Sequence, residues 1–189
     1  MANKKTVALT RDQYDTIIKL MKTGAYNFRP NEQVMTALVL EANLGLRIED
    51  ILRLRLNSFV KDRERYRLDI TEQKTGKKRE FTVPNEVYDF IEKYCIKNDI
   101  SKEEPIFKTK ERNVQTYLKK VVDYLEYDNI STHSFRKFFA TEIYLNNDYN
   151  IVLVQKLLQH SSTAITQRYI GIGTRELEEA LEKHIQLPD

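Results

Sequence analysis

His133, Arg136, His160 and Tyr169 lie along one stretch, Thr132 to Tyr169, whose other members are largely apolar. His133 and Arg136 are three residues apart at the start of a helical pattern that carries Phe135, Phe138, Phe139 and Ile143. That spacing lets the two polar groups share one helix face and address one anion. His160 closes a second apolar run, Ile151 to Leu158, and Tyr169 follows nine residues later, past a Ser-Ser-Thr segment able to start another helix. A phenol among imidazoles and guanidiniums points to attack on a phosphate.

Two further basic residues stand outside this stretch in settings that suit the same chemistry. Arg47 precedes Ile48, Ile51, Leu52 and Leu54, apolar residues able to anchor a short helix while the guanidinium projects into a cleft. Lys74 stands at a turn beside Lys77, Lys78 and Arg79, and ten basic residues fall between Arg53 and Arg79, a density suited to gripping a phosphate backbone. Each has a plainer alternative. Arg47 can cap a helix and pair with Glu49 or Asp50, the basic run can be a solvated hairpin, and Lys77 and Lys78 share the turn with Lys74. A lone histidine is most often a satisfied surface or cap residue, and Tyr169 is one of eleven tyrosines. Joint occurrence in order is what sets these residues apart.

The elements that must position them follow from pattern. Thr10 with Gln13 reads as a capping box before Tyr14, Ile17, Ile18 and Met21, predicting a helix over about 11–22. Asn31 can cap a second helix with Val34, Leu38 and Val39, ending near Asn43 to Gly45, and a third runs from about Ile48 to Leu54. Tyr66, Leu68 and Ile70 alternate with polar residues, as do Phe81 and Val83, with Thr75-Gly76-Lys77-Lys78 between them, so a β-hairpin or small sheet is expected. Helices then follow over about 85–97, with Val87, Phe90, Ile91 and Tyr94 inward, and about 111–125, with Val114, Tyr117, Leu118 and Val121 inward. Beyond Gly171-Ile172-Gly173, Thr174 can cap a last amphipathic helix with Leu177, Leu181, His184 and Ile185. The expected fold class is α+β: mainly helical with a small antiparallel sheet.

Composition narrows the class. At 189 residues without internal repeats or a low-complexity linker, the chain is expected to form one domain. A net charge of +3 is too mild to identify a nucleic-acid binder by itself. Cys95, the single cysteine, excludes a disulfide framework and suggests a reducing compartment. MANKKTVALT has no apolar core of a signal peptide, and no run approaches a membrane span, so a soluble cytoplasmic protein is expected. Three histidines and one cysteine supply no evident metal-ligand cluster, which counts against a metal-dependent nuclease.

HSFR, LLQHSS and RY at these spacings resemble the catalytic domain of the tyrosine recombinases, the phage integrase family. The resemblance extends to ANLGLRIEDILRLR around Arg47, like the family's first-arginine motif, and to KTGKKREFTVP around Lys74, like its lysine-bearing hairpin. It implies a site-specific recombinase that cleaves and rejoins double-stranded DNA through a 3′-phosphotyrosine, needs neither metal nor other cofactor, and assembles as a tetramer of protomers on two DNA sites. Asp50, three residues after Arg47, matches the family's supporting acidic position. Lys137 stands where a second histidine is common, Gln159 replaces a usual glycine before His160, and Asp50 replaces a commoner glutamate. The catalytic pattern begins within about ten residues of Met1, so a core-binding domain is expected to be missing: the chain is an excised fragment or resembles the short fimbrial-switch invertases. The resemblance also suggests that the segment 173–189 docks on a neighbouring protomer, packing in cis being the alternative. A phage or mobile-element origin is a family-level expectation.

The chemistry assigns roles. Arg47 and Arg136 suit bidentate contact with non-bridging phosphate oxygens, since guanidinium is planar and always charged. His133 is the better candidate for a base toward the tyrosine hydroxyl, with His160 bonding the phosphate or relaying a proton. Lys74 would protonate the leaving 5′-oxygen, and Tyr169 would become the covalent link. Lys77, Lys78, Arg79 and Lys137 are expected to contact DNA. A type IB topoisomerase and a non-catalytic DNA-binding regulator on the same scaffold stay open as alternatives.

Overall fold

Thr10 caps the first helix in both directions. Its hydroxyl accepts the Gln13 amide at 3.2 Å, and the Gln13 side chain accepts the Thr10 amide at 3.0 Å. In the computed structural model, which describes residues 6–170, that helix is α1, Arg11–Thr23. It opens the first of two units into which the chain divides, Met1–Phe139 and Ala140–Asp189.

Helix α2, Glu32–Leu44, is the centre of the first unit. The Asn31 side chain accepts the Val34 amide at 3.0 Å to start it. Val34, Met35, Ala37, Leu38, Leu40, Ala42 and Leu44 are all buried, so the helix is apolar nearly all round and packs against α1, α3, α4 and α5. Only Val34, Leu38 and Val39 had marked it in the sequence. It ends at Gly45, whose φ of +60° is left-handed and where a Cβ would collide with the Phe139 ring. Helix α3 is a single turn, Ile48–Ile51, shorter than expected. Leu54 remains buried, but its carbonyl accepts the Ile106 amide at 2.9 Å in place of a further helical bond.

The sheet has three antiparallel strands in the order β1 (Phe59–Asp62), β2 (Arg65–Thr71), β3 (Lys78–Val83). The expected hairpin is β2–β3. Strand β1 adds to it and buries only Phe59, which left no alternation to read. Helix α4, Asn85–Lys97, buries Tyr88, Ile91, Tyr94 and Cys95 and stacks Tyr88 on Tyr66 of β2 with centroids 3.5 Å apart. Helix α5, Glu111–Tyr124, buries Val114, Leu118, Val121 and Val122. Helix α6, Thr132–Leu145, begins in this unit, where Tyr14 of α1 stacks on Phe138 at 4.8 Å and meets Phe135 edge-on at 6.1 Å. Burying a side chain such as Phe135 contributes about 1.5–3 kcal/mol, which fixes the face of α6 that presents its polar residues.

The second unit, described as far as Ile170, holds the end of α6, then α7, Ile151–Leu158, and α8, Thr163–Ile170, which pack on each other. Asn150 caps α7 by accepting the Leu153 amide at 3.0 Å. The helix expected from Thr174 lies outside the described residues. Among the described residues no helix is long and apolar enough to cross a membrane.

Candidate active site

In the first unit, Arg47 is the residue before α3, held in extended backbone at φ −76° and ψ 150° between the buried Leu46 and Ile48. Its side chain neither caps the helix nor pairs with Glu49 or Asp50. Instead Nη1 donates to Oε2 of Glu72 at 2.7 Å. Asp50, buried on the same turn, accepts the Gln73 backbone amide at 2.9 Å through Oδ1. Lys74 sits exposed on the β2–β3 turn directly after these anchors. Thus α3 and the lysine-bearing turn are tied by bonds running in both directions.

The first turn of α6 brings His133 and Arg136 to the same neighbourhood. Arg136 is buried while His133 lies at the surface. The His133 pKa is lowered by the protein packed around it and by the positive charges of Arg136, Lys74, Arg47 and Lys137. Arg47, Lys74 and Arg136 come from three distant parts of the sequence, yet all act on one imidazole. The acidic side responds in kind. Burial raises the Asp50 carboxyl above its ordinary range, and Glu72 adds to this while the Gln73 amide, Arg47 and Arg136 oppose it. Burial also pushes Glu72 upward, but hydrogen bonds from Thr75 and Arg47 and the charges of Arg47 and Arg79 outweigh it, leaving the carboxyl below its ordinary value.

Two expected DNA contacts are otherwise placed. Arg79 is 2% exposed, its guanidinium over the Phe81 ring at 5.1 Å and Nη1 3.7 Å from Glu72. Burial lowers its pKa to about 10, against the pull of Glu72. The register explains this: Arg79 faces Ile70, as Phe81 faces Leu68 and Val83 faces Tyr66, so it belongs to the inward alternation that Phe81 and Val83 had already revealed. Lys137 is also buried, its ammonium donating to the Thr6 carbonyl at 2.7 Å, because it follows Arg136 into the packed side of α6. Neither is a surface grip on a phosphate backbone. Lys77 and Lys78 are exposed, and Lys78 pairs with Glu80 at 2.7 Å.

Two carboxyls escaped the sequence reading. Glu72 continues the Leu68, Ile70 alternation inward, a signal obscured by the bases around it. Glu41 is wholly buried on α2, and burial raises its pKa well above the carboxylate range while the nearby Arg136 charge opposes this. Its charge hid it, since an acidic residue in an apolar helix reads as the solvent face.

In the second unit, His160 follows the C-terminus of α7 and Tyr169 lies near the end of α8, with their rings edge to face at 5.1 Å. The Thr166 hydroxyl donates to the Ser162 carbonyl at 3.3 Å and its oxygen lies 3.1 Å from Nδ1 of His160. With that hydroxyl hydrogen used, Nδ1–H is the donor of the second bond. Among the described residues no three metal-ligating side chains cluster.

A mainly helical scaffold with a three-stranded antiparallel sheet is the architecture of the tyrosine recombinase catalytic domains. The chain belongs to the phage integrase family, which it matches over residues 8–174. It is 32% identical over 161 residues to the probable integrase/recombinase YoeC of Bacillus subtilis, covering 82% of this chain and 86% of YoeC. It is 28% identical to the tyrosine recombinase XerA of Pyrococcus horikoshii, covering 93% of this chain and 60% of XerA. Among solved structures, the XerH site-specific recombinase bound to palindromic difH in a post-cleavage complex superposes with a TM-score of 0.71 at 17% identity, over 95% of this chain and 54% of that one. The catalytic domain of bacteriophage HP1 integrase gives 0.65 at 18% identity, over 95% and 96% of the two chains. At such identities the structures establish the shared fold.

Proposed function

We propose that the chain is the catalytic domain of a site-specific recombinase that cleaves and rejoins double-stranded DNA through a 3′-phosphotyrosine. The observation that carries this reading is that Arg47, bonded through Glu72 to the turn that bears Lys74, lies in the same unit as His133 and Arg136, and that all three cations lower the His133 pKa, in a chain of the phage integrase family. The RY motif is the ground for taking Tyr169 as the nucleophile. The Tyr169 hydroxyl oxygen attacks phosphorus, its proton passing to a base for which His133 is suited: a pKa below the usual histidine value keeps the imidazole neutral at physiological pH. Arg47 and Arg136 neutralise the charge gathering on the non-bridging oxygens. The P–O5′ bond breaks and Lys74 transfers a proton to the departing oxygen, giving a 5′-hydroxyl and a phosphotyrosine. His160, beside Tyr169 in the second unit, is assigned to bond the phosphate or relay a proton. Rejoining is the same sequence reversed with an incoming 5′-hydroxyl, and the ester bond is conserved throughout.

The partners follow from the reaction: duplex DNA contacted by the exposed Lys77 and Lys78, and further copies of the chain, four in a synapse of two sites. The test is to incubate the protein with nicked suicide duplexes drawn from DNA flanking its gene, with excess chelator, and to look for a denaturant-resistant protein–DNA adduct. Adduct formation supports the reading, and sequencing the trapped DNA reveals the site. DNA binding without any adduct would support the non-catalytic regulator instead.

A further inference from the structure

We propose that Glu72 is a positioning residue for the reaction: it fastens the turn that carries Lys74 to the Arg47 end of α3, so that proton donor and phosphate ligand meet DNA as one piece. This rests on the roles given to Lys74 and Arg47 above.

Glu72 is built into the turn through its backbone and into α3 through its side chain. Its amide donates to the Lys77 carbonyl and its carbonyl accepts the Gly76 amide, both at 2.9 Å, so the loop that holds Lys74 closes on Glu72 itself. Its side chain is 1% exposed, and Oε2 accepts both Arg47 Nη1 at 2.7 Å and the Thr75 hydroxyl at 2.8 Å. The other oxygen faces the buried Arg79 guanidinium at 3.7 Å. Gln73, between Glu72 and Lys74, is tied to Asp50. A carboxylate in this position serves two ends. It offsets two guanidiniums that would otherwise repel each other, and its charge-assisted bonds hold a geometry that an exposed turn with an unhindered Gly76 would not keep unaided. Arg47 gives one N–H to Glu72 and is 20% exposed, which leaves the rest of its fork for a phosphate. Loosening this tie displaces a proton donor whose value depends on reaching the 5′-oxygen.

The experiment uses the full chain and the duplex recovered by trapping, synthesised with either oxygen or sulfur at the 5′ leaving position. A thiolate leaves without needing a proton, so the oxygen-to-sulfur rate ratio reads general-acid catalysis. Lys74→Ala and Glu72→Gln are each expected to slow cleavage of the oxygen duplex by about tenfold or more and to regain most of that loss on the sulfur duplex. Thr75→Val, which leaves the charges of Arg47, Glu72 and Arg79 intact, is expected to shift the ratio in the same direction by a smaller factor, and it decides the matter if Glu72→Gln does not fold. Equal slowing of Glu72→Gln on both duplexes, or no slowing on either, would overturn the positioning role. If Lys74→Ala itself slows both equally, the assignment of Lys74 as the acid fails, and the role of Glu72 with it. The covalent reaction of Tyr169 would stand regardless.

Discussion

The Asp50 carboxylate holds the backbone amide of Gln73 at 2.9 Å, so a residue on α3 anchors the turn next to Lys74. Asp50→Ala removes the acceptor of a partly buried amide, and a loss of about 1–2 kcal/mol is expected. Asp50→Asn keeps an acceptor oxygen, and because burial already raises the Asp50 pKa, a neutral side chain is well tolerated there. Chemical denaturation should therefore rank Asn close to the unmodified chain and Ala below it. Equal losses in the two variants would mean that the charge, rather than the bond to Gln73, is what matters.

His133 gives a pH signature. Its folded-state pKa lies below the ordinary value of about 6.5. The unfolded chain therefore takes up its proton first as pH falls, and the His133 contribution to stability, full above the unfolded value, is lost as pH drops from there through the folded value. The acid limb of the cleavage rate should lie below the usual histidine range. Replacing Lys74 by Ala removes one of the charges holding the imidazole down, so NMR titration of His133 in that variant is expected to show a higher pKa. No upward movement would place Lys74 away from His133.

Glu41 should behave as a neutral acid. With its folded pKa raised, the native state holds a proton that the unfolded chain has released, so stability falls as pH rises from the ordinary carboxylate value toward the folded one. Glu41→Gln removes this dependence. The variant is expected to melt at or above the temperature of the unmodified chain at pH 7 and to lose that advantage near pH 4. Destabilisation at pH 7 would show that an ionised Glu41 balances Arg136.

Gln159 ends α7 in the left-handed region, φ +55° and ψ 35°, where a side chain costs about 1 kcal/mol. This explains why a glycine suits the position before His160. Gln159→Gly is expected to be more stable than Gln159→Ala by about 1 kcal/mol, part of the relief being offset by the freer unfolded chain. Thermal melts of the pair check it, and equal midpoints would mean that the backbone relaxes elsewhere.

Caps and periodicity carried most of the fold into view. The Thr10–Gln13 box, the Asn31 cap and the alternation in β2 and β3 mark elements that the structure contains with ends within a few residues. Strand β1 was illegible because three of its four residues are exposed. The short α3 was overextended because Leu54 is buried by a loop partner, which leaves the same apolar mark as a helix. At the site, Arg47, Lys74, His133 and Arg136 could be picked out because their chemistry and order are distinctive. Glu72 and Glu41 could not, and Arg79 reads in the sequence as a surface contact rather than a buried partner of Glu72. Their burial is made possible by one another's charges or by a shifted pKa, relationships that exist only once distant segments meet.

The covalent role of Tyr169 is tested most directly by digesting the trapped protein–DNA adduct with trypsin and nuclease and locating the nucleotide by mass spectrometry. The expected result is a nucleotide 3′-phosphate on the peptide that contains Tyr169, formed in excess chelator and absent from Tyr169→Phe. A nucleotide on any other tyrosine, or an undiminished adduct from Tyr169→Phe, would contradict the assignment of the nucleophile and the mechanism built on it.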